Sequence, residues 1–110
     1  MSLNGIWKVE MLGPYGWESM STAFLEDGRY LASSQDHYAV GRYELTGNQV
    51  KVTAVTHSHG EVRTMFGARE SQIEVSFAGE VNGDEISGQA EDTTKNYSIT
   101  FRATRLAGLD

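Results

Sequence analysis

The chain has 110 residues, the size of one domain, and its twelve glycines against one proline point to many tight turns rather than disorder. Nine basic against fifteen acidic side chains leave a net charge of −6, which argues against binding nucleic-acid phosphates or an anionic membrane through bulk charge. With no cysteine, disulfides, iron–sulfur clusters, thiolate zinc sites and a cysteine nucleophile are excluded, and no apolar run approaches the roughly 20 residues of a membrane-spanning helix.

Met1-Ser2-Leu3 has neither the basic nor the apolar region of a signal peptide and reads as an added or unordered leader, which with the missing cysteines points to the cytoplasm. From there on hydrophobicity alternates with period two, so strands dominate. The first is predicted over residues 5–12, with Trp7, Val9 and Met11 on one face and Ile6, Lys8 and Glu10 on the other, and Gly13-Pro14-Tyr15-Gly16 turns it. The second covers 17–26. Asp27-Gly28, a pair that accepts positive φ, joins it by a two-residue hairpin to the third, over 29–33. The fourth covers 38–45, where Gly41 signals a bulge or a close backbone approach, and Thr46-Gly47-Asn48 leads into the fifth, over 49–57. Residues 58–71 break the alternation and read as a long connection with room for one helical turn. The sixth strand, 72–81, places Ile73, Val75, Phe77 and Gly79 against Gln72, Glu74, Ser76 and Glu80. Asn82-Gly83-Asp84 turns into the seventh, 85–90; Glu91 to Lys95 reads as a polar loop, and the eighth covers 96–106.

Eight consecutive antiparallel strands with short links predict an all-β fold, an up-and-down eight-stranded barrel filling residues 1–110, because a flat sheet of that length would expose two hydrophobic edges. Such a barrel has an interior wide enough to be filled by side chains or to hold one small ligand. The inward aromatic and sulfur side chains Trp7, Met11, Tyr43, Phe77 and Phe101 are the candidate contacts for a small apolar ligand there.

Motifs for chemistry are sparse. No serine lies in a G-x-S-x-G turn, no G-x-G-x-x-G or phosphate loop is present, and no catalytic set or cofactor is expected. His57-Ser58-His59 has the spacing of a strand chelate, with His37, Asp36 or Glu61 as the third ligand it would need; the plainer reading is a polar strand end, and no metal is expected. Tyr15, Trp17, Tyr30, Tyr38 and Tyr43 read as barrel lining or surface aromatics rather than base-stacking platforms, given the charge balance.

Gly5-Ile6-Trp7, with Arg102 and Arg105 in the last strand, resembles the calycin and lipocalin pattern, which implies an early Trp stacked under a late Arg to close the barrel floor. The order of Asn4-Gly5-Ile6-Trp7-Lys8-Val9, Leu25-Glu26-Asp27-Gly28-Arg29, Tyr38 with Gly41-Arg42-Tyr43-Glu44, and Phe101-Arg102-Ala103-Thr104-Arg105-Leu106 resembles the GrlR-like family, negative regulators of type III secretion expression with a lipocalin-like barrel. That resemblance implies a cytoplasmic, non-enzymatic regulator that binds and silences a transcriptional activator, often as a dimer. The family's acidic run between the fourth and fifth strands is not matched: Thr46, Gly47, Asn48 and Gln49 are uncharged here. Acidic side chains elsewhere, Asp84, Glu85, Glu91 and Asp92, are instead expected to form a negative rim suited to a basic protein partner, such as a DNA-binding activator.

Overall fold

A computed structural model describes residues 2–35, 37–58, 72–92 and 97–109. Eight strands, β1 (Gly5–Gly13), β2 (Gly16–Glu26), β3 (Arg29–Ser33), β4 (His37–Thr46), β5 (Gln49–Ser58), β6 (Gln72–Asn82), β7 (Glu85–Asp92) and β8 (Tyr97–Gly108), pair in chain order, every neighbour antiparallel, and β8 closes on β1. This is the expected up-and-down barrel, and no helix occurs among the described residues. The helical turn expected in the long connection falls at 59–71, outside the described residues, as do Asp36 and Thr93 to Lys95.

The strand bounds agree with the alternation to within one or two residues, with β3 unchanged and one correction at β7. Glu91 and Asp92, expected in a loop, continue the strand and pair with Ser98 and Tyr97. Their polarity hid the continuation, because Asp92 occupies an inward position where alternation calls for an apolar residue.

Turn chemistry sets the register. Asp27 and Gly28 have φ of 50° and 85°, the two positive values that let a two-residue hairpin follow the twist of its strands. The Gly28 carbonyl then accepts a hydrogen bond from the Tyr43 N–H at 2.8 Å, tying the hairpin to β4. Gly41 marks a close approach rather than a bulge. The β4–β5 register runs through it without a shift, and a Cβ there would collide with the β5 backbone at Thr53 and Ala54. The bulges lie elsewhere: β2 inserts Met20 opposite β1, and β8 inserts Leu106.

The β1, β3, β5 and β7 starts and the chain ends gather at one end of the barrel, which is closed. Trp7 is 1% exposed; its indole N–H donates to the Leu3 carbonyl at 3.0 Å, and the Arg105 guanidinium lies 4.8 Å from the indole centroid. Leu3, in the stretch read as a loose leader, is itself buried. Arg105 also donates to the Asn4 and Ser2 carbonyls, and the Asn4 side chain bonds the Asp27 N–H and the Asp27 carboxylate and accepts from the Tyr43 hydroxyl. Of the two late arginines, Arg105 is the one over Trp7. Arg102 is on the outer surface, 4.1 Å from the centroid of Trp17 and 3.0 Å from Glu10.

Above this plug the interior is packed solid. Val9, Leu25, Val50, Val52, Phe77, Ile86 and Phe101 fill it, with Phe77 and Phe101 edge to face at 5.0 Å, leaving about 30 Å³. The exterior is two-sided. On β1 to β5 an apolar row runs straight across the strands: Ile6 faces Phe24, Phe24 faces Leu31, Leu31 faces Val40 and Val40 faces Val55. The outward positions of β6 and β7 are mostly polar, among them Gln72, Glu74, Ser76, Glu80, Glu85, Ser87, Gln89 and Glu91.

Candidate functional site

The barrel is hollow at its other end, and the register explains why. Ala23, Ala32, Ala39 and Thr56 stand side by side on β2, β3, β4 and β5, all buried and all inward. Ala32, Ala39 and Thr56 are too small to fill the space in front of them, and a pocket of about 470 Å³ results, within the size range of small-ligand sites; Ala23, the next in the row, lines the packed half instead.

Tyr30 is the floor. Its ring lines both this pocket and the packed half, and it touches Phe77 at 6.0 Å between centroids. Burial pushes its phenol pKa well above the ordinary value, opposed only in part by a hydrogen bond with Ser21, so it stays protonated at any working pH. Met11, Met20, Ala32 and Ala39 give the pocket apolar walls. Met20 is the residue that the β2 bulge inserts, so the bulge supplies part of the lining.

Ser21, Ser34 and Thr56 add hydroxyls to the lining, with His37, whose Nδ1 lies 3.5 Å from the Ser34 hydroxyl; Ser19, Thr22, Ser33, Gln35 and Tyr38 border the pocket from exposed positions, Thr22, Ser33 and Tyr38 in one cross-strand row with the outward His57. No Asp, Glu, Lys or Arg lines it among the described residues. Thr56 is 5% exposed, and its Oγ1 is buried with no hydrogen-bond partner among the described residues.

Of the five interior candidates named from the sequence, Met11 alone lines this pocket. Trp7, Phe77 and Phe101 surround the packed half, and Tyr43 is half-buried with its hydroxyl on Asn4 at the closed end. The misplacement has a simple cause: large inward side chains fill space, so a cavity lies where inward residues are small. Ala32 and Ala39 were the missed signal, and both follow from the alternation of β3 and β4.

The four acidic candidates do not form one rim. Asp84 and Glu85 sit at the β6–β7 turn by the closed end, whereas Glu91 and Asp92 end β7, about 20 Å away at the rise of a strand. Asp84 Oδ1 lies 3.1 Å from Arg105 Nε, and Asp92 is 1% exposed and belongs to the interior. Asp84, Glu85 and Glu91 are exposed, the first two at one end and Glu91 at the other. The histidines separate too: His37 lines the pocket, while His57 is on the outer face, stacked on Tyr38 with centroids 4.8 Å apart. His59, Asp36 and Glu61 lie outside the described residues. A comparison with protein-family models returns no match, and neither does one with curated proteins.

Proposed function

We propose that the protein is a non-enzymatic, calycin-like binding barrel that holds one small molecule at its open end. The observation that carries this reading is the 470 Å³ pocket above the Tyr30 floor, in a barrel whose other half is packed tight. Two methionines supply adaptable apolar contact and the hydroxyls supply orientation, the division of labour common to small-ligand sites. The test is native mass spectrometry of protein purified under mild conditions, beside an Ala39→Leu variant whose added side chain enters the pocket. A bound mass on the parent that is missing from the variant supports the reading; a bound mass unaffected by the change counts against it.

A second reading, the protein-interaction module that the GrlR-like resemblance implies, is favoured by the apolar row across β1 to β5. Phe24, Leu31 and Val40 on it are each 38–50% exposed in adjacent strands. On this reading the row, not the acidic residues, meets the partner. Charges of both signs, Glu26, Arg29 and Arg42, border the row, which suits a second copy of the chain. Light scattering at micromolar concentration tests it: a dimer that Leu31→Glu converts to monomer supports the reading, and a monomeric parent counts against it.

A further inference from the structure

We propose that Thr56 anchors the ligand and that the ligand is an uncharged small molecule, an apolar body ending in one hydroxyl or amide. This rests on the binding reading above and specifies what the pocket takes. The argument starts from the anchor. Thr56 Oγ1 is the one buried side-chain oxygen of the alanine row, stands between Ala39 on β4 and Ile73 on β6, and has no partner among the described residues. A hydroxyl desolvated without a hydrogen bond is costly, and a ligand group that bonds it removes that cost on arrival.

The class of the ligand follows from the walls. A carboxylate, phosphate or ammonium entering here would shed its hydration and meet no counter-charge among the described lining residues. A pure hydrocarbon would leave the Thr56 hydroxyl unpaired and dry. A neutral head avoids both costs. Hydroxyls donate and accept, so the lining suits an alcohol or an amide, which do the same. Next to Thr56, Ala39 and Ala32 leave space, and Tyr30 offers a ring on which an aromatic or alicyclic body can lie, with Met11 and Met20 available to its edges.

A matched series of probes tests this: naphthalene, 2-naphthol, 2-naphthamide and 2-naphthoate, titrated by equilibrium dialysis against the parent and the Thr56→Val, Thr56→Ser and Ala39→Leu variants. The parent is expected to hold 2-naphthol and 2-naphthamide roughly tenfold more tightly than naphthalene, the worth of one buried hydrogen bond, and 2-naphthoate most weakly. Thr56→Val should bring the naphthol down to the naphthalene level without changing naphthalene itself, and Thr56→Ser should restore the difference. An undiminished naphthol preference in Thr56→Val, or naphthoate binding as tight as naphthol, overturns the ligand class. In either case loss of all binding in Ala39→Leu leaves the pocket reading standing. Binding that Ala39→Leu does not touch, or no binding of any probe, overturns the pocket reading and this inference with it. A single cooperative thermal transition in each variant shows that the comparison is between folded proteins.

Discussion

Two buried residues show how differently single side chains carry this fold. Trp7 is buried with its N–H bonded and Arg105 over its face, so Trp7→Ala removes the plug and leaves a cavity beneath the Arg105 guanidinium. We expect a loss of about 3–5 kcal/mol, read by urea unfolding. Thr56 is the opposite case: its hydroxyl makes no hydrogen bond among the described residues. Thr56→Val, nearly the same shape, should therefore raise the stability of the ligand-free barrel by about 1 kcal/mol, also read by urea unfolding, and a loss would show that the hydroxyl has a partner in solution. Trp7 was legible in the sequence, since an inward tryptophan beside Gly5 has few places to go. Thr56 was legible only as an inward position, after Val50, Val52 and Ala54 on the same strand. Whether a buried hydroxyl finds a partner depends on the neighbouring strands, which spacing along one strand does not reveal.

Among the elements, the strands and hairpins could be read directly because each depends on local chemistry: alternation for a strand, Asp27-Gly28 for a turn. Closure itself was expected from the cost of two exposed edges, but the register shifts that accomplish it depend on fit between distant segments, and there the sequence was mute. Nothing at Met20 or Leu106 marks a bulge, since both arise where β1 must meet a neighbour whose register differs by one residue. Gly41 is intermediate: a glycine in a strand is visible, but the β5 backbone it admits is not. Gly41→Ala sets a methyl against that backbone, and we expect it to cost about 1–3 kcal/mol, seen as a thermal midpoint lower by roughly 4–8 °C for each kcal/mol. A midpoint unchanged by the substitution would mean that β4 and β5 separate easily.

At the scale of the whole molecule, a closed ring of strands leaves no free sheet edge, so one strand can leave only by breaking two ladders at once. The ladders are unequal. β3 pairs five residues with each neighbour, whereas β4 and β5 pair ten. Amide hydrogen exchange should therefore be fastest, among strand interiors, along β3 and slow along β5 and β6; uniform protection around the ring would refute this. The same short strand carries Tyr30 and Ala32, the floor and part of the wall of the pocket. Occupancy and local breathing are thereby joined: a molecule resting on Tyr30 stabilises only the closed form of that seam. Deuterium uptake at 29–33 then becomes a gauge of whether the pocket is filled, readable in a crude mixture of metabolites before any compound in it has been identified.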